Sequence, residues 1–354
     1  MTSAMERELL ELALELVRLP TTPGREGLAL EFLAERLQGA GLKVWEQEVP
    51  GVGKNLLASR GEGGIWFVTH MDVFPPLDHP HPFSPEVRGG KLFGRGAVDT
   101  KGQIAALLWS LSRSRGPAQV ALVVDEELLG RGSEALEVPE GIVGAVVLEP
   151  TGLYPCPAEA GTLEVRVTVS GRAAHGTTPW AGDNAILKAL EDFRRFLTHP
   201  IFSHRHPLFP RGAWVNLGRI EGGYDPMVVP ASCAIHFDVG FAPGLSPVEV
   251  LGAVRQAFTD PAVLEVLDVS PPWEIPHDAP ILRRLQRAIR EALGEELPLG
   301  GMPSWTDAAN LFAKGVNPVV FGAGSLEVAH TPHEAIPLRE LESLAQVLLN
   351  LLED

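Results

Sequence analysis

Cysteine is nearly absent: Cys156 and Cys233 are the only two in 354 residues. Two thiols do not make a disulfide framework, so a reducing compartment fits. Basic charge is in deficit too. Lys and Arg number 29 against 45 Asp and Glu, a formal net charge of −16. Nucleic acid or an anionic membrane would need a basic surface, so neither is expected as a partner. No apolar run reaches the roughly 18 residues of a membrane span. The stretch MTSAMERELLELALELVRLP lacks a basic-then-apolar leader pattern; its Leu9, Leu12, Leu16 and Leu19 recur at helical spacing with acids between them. Repeats and low-complexity tracts are also lacking. A soluble, cytoplasmic protein is expected. At 45% hydrophobic residues it has enough for one large core or two modest ones.

What is present divides into two textures. GIWFVTH, QVALVVD, GAVVLEP and VNPVVFGAG are short, nearly continuous apolar runs, with helical segments between several of them, one starting after Lys101. That pattern marks a mainly parallel sheet covered on both faces. Between the Pro-rich stretches EPTGLYPCPAEAG and DVSPPWEIPHDAP the texture changes. Leu163, Val165, Val167 and Val169 alternate with polar residues, as do Cys233, Ile235, Phe237, Val239 and Phe241, which predicts half-exposed antiparallel strands. GDNAILKALEDFRRFL between them has helical spacing, with Asp183 as the expected N-cap. The fold class expected is α/β: a mainly parallel mixed sheet with helices on both faces, residues 1–160 and 273–354, interrupted by a smaller α+β domain over 161–272.

In open α/β sheets, function collects at the carboxyl ends of the strands. The first run ends in His70, followed by Asp72. The second ends in Asp125, Glu126 and Glu127. The third ends in Glu149, and the fourth leads into EVAHTPHE with His330 and His333; Asp99 sits in GRGAVDTKG. Histidines and carboxylates gather at the strand ends with no cysteine among them. That donor set suits catalytic zinc, and a self-repelling acidic cluster becomes stable around divalent cations. His79, His81, His199, His204 and His206 read as solvent-facing loop residues.

THMDVFP, GRGAVDTKG, DEELLGRGS, LEPTG, GRAAHGTTPWAGDNAI and GAGSLEVAHTPHE together resemble the zinc metallopeptidase and deacylase family of acetylornithine deacetylase, succinyl-diaminopimelate desuccinylase, aminoacylase and carboxypeptidase G. The resemblance covers nearly the whole chain. It implies two divalent metal ions, zinc first and cobalt as a substitute. His70 and Glu149 would serve the first ion, Glu127 and His330 the second, and Asp99 would bridge both, with a cis peptide after it. Glu126 matches the general base, and Asp72 the acid that orients the His70 ring. His333 reads as a neighbour of the ligands. His175 would reach the active site of a partner subunit and stabilise the oxyanion, which implies a homodimer through the inserted domain, a lid and dimerisation domain. Asp125 reads as structural, or as a hydrogen-bond acceptor at the strand end.

Two positions depart from the family pattern. Where a substrate carboxylate is often held by Asn and Arg, this chain has Met227 and Gly240. Trp305 is open between lining a pocket and simple packing. The activity expected is hydrolysis of the amide of an N-acyl amino acid, as in amino-acid metabolism. The alternatives are a dipeptidase or carboxypeptidase acting on short peptides and, in another class, a catalytically silent zinc-binding or regulatory protein.

Overall fold

The run GIWFVTH is the strand Gly64–His70, buried from Ile65 onward. It lies at the middle of a six-stranded sheet ordered Lys43–Val49, Gly53–Arg60, Ala118–Val123, Gly64–His70, Ile142–Val147, Pro318–Val320. The last four are mutually parallel. Gly53–Arg60 is antiparallel to both of its neighbours, so it alone runs against the other five. Ala118–Val123 is buried along its whole length, as a strand covered on both faces must be. Gly102–Arg113 is the helix expected after Lys101, and all of its residues from Gly102 to Leu111 are buried. The hairpin of Lys43–Val49 and Gly53–Arg60 was not foreseen. Its burial is uneven and its outer strand is largely exposed, so it lacks the apolar run that announces the inner strands.

Residues 4–258 and 262–354 are described by this computed structural model. They divide into two compact units. One runs through Pro157 and resumes at Ile275–Gly300 and Thr306–Asp354; the other comprises Ala158–Glu274 and Gly301–Trp305.

The smaller unit is an antiparallel sheet ordered Trp214–Gly222, Ser232–Phe241, Gly161–Ser170, Ala262–Ser270. The alternating apolar residues of its two inner strands face one way and bury with the helices Ala185–Leu197 and Pro247–Ala257. The second helix starts with a capping box: Ser246 Oγ accepts the Glu249 N–H while Glu249 Oε2 accepts the Ser246 N–H at 2.8 Å. The first is capped by Asn184, not by Asp183. Asn184 Oδ1 accepts the N–H groups of Ile186 and Leu187 at 3.0 and 3.2 Å, whereas Asp183 pairs with Lys188. Both residue types can cap, so one position of register decides which does. Of the five histidines read as solvent-facing, His81 is exposed and His79 and His199 are half-buried; His204 and His206 also differ from expectation. They are half-buried, with Nε2 3.0 Å from the Pro243 carbonyl and 3.1 Å from Glu274 respectively.

Phe237, 1% exposed, has the rings of Phe193, Phe196 and Phe258 at 5.3, 5.5 and 5.9 Å. Phe237→Ala is expected to destabilise the smaller unit by about 3–5 kcal/mol, the cost of an unfilled aromatic site, read as a lower urea midpoint.

Candidate metal centre

Because four parallel strands are neighbours, their carboxyl ends lie side by side. His70 closes one strand, Asp125–Glu127 follow the adjacent one, Glu149 comes two residues after Ile142–Val147, and His330 lies in the loop after Pro318–Val320. Asp99 arrives from the irregular segment Ala97–Lys101 at the head of helix Gly102–Arg113, and the Asp99–Thr100 peptide is cis. That segment is tied on both sides. Thr100 Oγ1 donates to the His70 carbonyl at 2.9 Å. Gln103 Nε2 donates to the carbonyls of Val98 and Ala323 at 2.9 and 2.7 Å, joining it to the loop that leads to His330.

Asp99 turns one carboxylate oxygen to each histidine. Oδ1 is 3.0 Å from His70 Nε2, and Oδ2 is 3.3 Å from His330 Nε2. Glu149 Oε1 lies 3.5 Å from His70 Nε2, and Glu127 Oε2 lies 3.0 Å from His330 Nε2. Two trios result, His70–Asp99–Glu149 and Asp99–Glu127–His330, each with donor atoms within 4.8 Å of one another. Glu126 belongs to neither; its Oε2 is 3.9 Å from His70 Nε2.

The arrangement fits divalent cations on three physical grounds. His70 Nδ1 is 2.9 Å from the Asp72 carbonyl oxygen, which can only accept. Nδ1 therefore carries the hydrogen, and the Nε2 of a neutral ring presents a lone pair to a carboxylate. A carboxylate facing that nitrogen therefore calls for either a proton or a metal cation between them. Second, Glu127 Oε1 and Glu149 Oε1 are buried without a hydrogen-bond partner. Third, the charges are frustrated. Burial, with the charges of neighbouring acids, pushes Glu126 and Glu149 well above the ordinary carboxylate range, only partly offset by His70. Burial opposes charge on His70 as well, but Glu126 and Glu149 outweigh it and hold its pKa well above the usual value. His330 is pushed up to about 10, burial being outweighed by Asp99 and Glu127. Imidazole and carboxylate donors without thiolate suit a divalent metal ion.

The supporting residues have their own logic. The carboxylate of Asp72 is 3.7 Å from His70 Nδ1, so its main-chain carbonyl holds the ring; its Oδ2 instead accepts the Glu127 N–H at 2.9 Å. Asp125 takes a left-handed backbone, φ 69°, and its buried carboxylate is gripped by Arg131, Nε to Oδ2 at 2.7 Å and Nη2 to Oδ1 at 2.8 Å. This bidentate pair fixes the turn that carries Glu126 and Glu127. His333 is exposed and belongs to neither trio.

Four supporting residues were missed in the sequence. Phe74 stacks on the His330 ring at 4.0 Å and 12°. Asp307 is buried near the first trio, and burial lifts its carboxyl to about 7. Arg95 and Glu334 form a buried pair. Arg95 and Glu334 lie inside GRGAVDTKG and HTPHE, where a charged residue within an otherwise functional stretch was the available signal.

His175 lies in the smaller unit on an exposed turn, its Nδ1 2.9 Å from Thr177 Oγ1. Met227 is exposed and donates its N–H to Asp225 Oδ1 at 2.7 Å. Gly240 has no room for a side chain: a Cβ there would come 2.1 Å from Cε2 of Trp214, whose indole covers the position.

Residues 66–354 match a family model described as peptidase family M20/M25/M40. The chain is similar to an acetylornithine deacetylase of Myxococcus xanthus, 31% identical over 366 residues, with 94% of each chain covered. It is also similar to a probable carboxypeptidase of Aspergillus terreus, 29% identical over 376 residues, covering 96% of this chain and 84% of the other. In fold it resembles aminopeptidase PepT of Bacillus cereus, with TM-score 0.79, 21% identity and 98% of each chain covered.

Since the trios hold uncompensated charge without a cation, zinc added to chelated protein is expected to stabilise it by about 2.7 kcal/mol at a hundredfold excess over Kd. Asp99→Asn should remove most of that gain, read as the difference in Tm with and without zinc.

Proposed function

The chain belongs to peptidase family M20/M25/M40, and we propose that it hydrolyses the amide bond of an N-acyl amino acid at this centre. The observation that carries the proposal is Asp99, with one oxygen toward each histidine. On this reading His70, Glu149 and Asp99 hold one zinc ion and Asp99, Glu127 and His330 the other, with cobalt able to replace zinc. When bound, the pair supplies Lewis acidity that polarises the scissile carbonyl and makes water a better acid.

The remaining work falls to side chains. Glu126 lies beside the trios but outside them, so its carboxylate is free to take a proton from the attacking water. The water oxygen adds to the carbonyl carbon, Glu126 passes the proton to the departing nitrogen, and the C–N bond breaks. The carboxylate of Asp72 serves this step at a distance, through the Glu127 N–H that it anchors. On the same reading His175, which is exposed, would donate to an oxyanion in the site of a second copy, making a homodimer through the smaller unit a requirement for activity. A location in the cytoplasm accords with a cysteine content of two in 354 residues.

A panel of N-acyl amino acids and dipeptides with zinc or cobalt tests the reading. Preferred cleavage of dipeptides would give the peptidase reading instead, and no turnover of either would favour a silent zinc-binding protein. Within the turn, Glu126→Gln is expected to keep metal content near wild type while lowering kcat by roughly 10²-fold or more. Glu127→Gln should lower metal content instead, and the reverse pattern would exchange their roles. Mixing inactive His175→Ala and Glu126→Gln chains should restore part of the activity through composite sites. Proven subunit exchange without recovery would remove the role of His175 across a dimer.

A further inference from the structure

Two charged side chains of the signature stretches take no part in the chemistry above, yet both are fully buried. Arg95 is 1% exposed and Glu334 0%. Arg95 Nη1 meets Glu334 Oε2 at 2.5 Å. The other oxygen of Glu334, Oε1, accepts the main-chain N–H groups of Val98 and Asp99 at 3.1 and 3.3 Å. Glu334 thus holds the backbone from which the shared carboxylate projects. The Arg95 guanidinium also lies 5.8 Å from the ring centre of Phe74, the ring that stacks on His330. Arg95, Glu334 and the half-buried Phe74 therefore support two of the three donors in the Asp99–Glu127–His330 trio, of which His330 is not shared with the other trio. His70 is held differently, by the main-chain carbonyl of Asp72.

The cluster is poorly built for stability. Burying an ion pair costs several kcal/mol per ion before its attraction is counted, and an apolar replacement is often as stable. Nε and Nη2 of Arg95 have no hydrogen-bond partner, so its desolvation is incompletely offset. What the pair supplies is direction. A carboxylate fixed by an opposing guanidinium presents an oxygen at a defined point for two consecutive N–H groups, and the aromatic face limits the rotation of an imidazole that is otherwise partly open to solvent.

We propose that Glu334, Arg95 and Phe74 are positioning residues for the Asp99–Glu127–His330 trio, and that affinity for a cation there depends on them far more than affinity at the His70–Asp99–Glu149 trio. The inference rests on reading both trios as cation sites. It adds that the two differ in what supports them.

Calorimetric titration of chelated full-length protein with zinc tests this without recourse to turnover. Wild type should show two binding steps, and Glu127→Ala identifies which belongs to the second trio by abolishing it. Glu334→Gln and, independently, Phe74→Leu are expected to weaken that same step by 10- to 100-fold, the usual effect of losing a partner that orients a ligand. In Phe74→Leu the other step should stay within about threefold, in Glu334→Gln it should fall by less than the affected step because Asp99 is shared, and Phe74→Tyr should keep wild-type affinity. Unchanged steps in both variants, or equal weakening of both steps, would overturn the inference, the second pattern indicating a general structural role. If Glu334→Gln fails to fold, Phe74→Leu decides alone. Wild-type protein that takes up no zinc would overturn the reading of the centre itself, and this inference with it.

Discussion

Negative charge held in a confined, dry space is the constraint on which this molecule turns. Asp72, Asp99, Asp125, Glu149, Asp307 and Glu334 are all buried, and Glu126 and Glu127 are nearly so. Carboxylates at such spacing do not remain ionised together unless something positive stands among them. The chain supplies local answers for two: Arg131 for Asp125 and Arg95 for Glu334. For those around His70 and His330 the described residues supply the two imidazoles. The resulting imbalance is why the edge of the sheet is suited to bind cations, and why the strands bearing these acids must be adjacent and parallel.

Much of this is legible in the sequence, for an identifiable reason. A parallel strand covered on both faces has to be apolar throughout, so the charge at its end stands out, as His70 does after GIWFVT. The donors of both trios lie at such ends or, as with Asp99, in short stretches of distinctive composition. The two inner antiparallel strands of the smaller unit are equally visible, since one wet face forces alternation, whereas its outer strands, largely exposed, were not foreseen. Contacts between residues distant in sequence are not visible in this way. That Phe74 lies flat on His330, or that Glu334 reaches the N–H of Asp99, depends on how loops fold back, and no local period encodes it. Gly301–Trp305 packs with the smaller unit although it lies far beyond the second Pro-rich stretch, and only tertiary contacts reveal that.

Gly240 shows how a sequence difference can carry more than a missing group. The bare letter suggests the loss of one side chain. The indole of Trp214 occupies the space where a side chain would begin. Regaining a longer residue there would require Trp214 to move as well, so the two positions form a pair, partners in the register of their strands. Adjacent positions of this kind couple in their effects on stability and recognition.

Asp99 is a single side chain on a backbone held by Thr100, Gln103 and Glu334, and it serves both histidines. Sharing one rigid carboxylate makes the two positions thermodynamically linked. The factor by which an occupant of one position changes affinity at the other is the same in both directions, because linkage is reciprocal. A pair of cations bound there would behave as one coupled unit, and its loading curve would be a property of the shared oxygen atoms as much as of either ligand set.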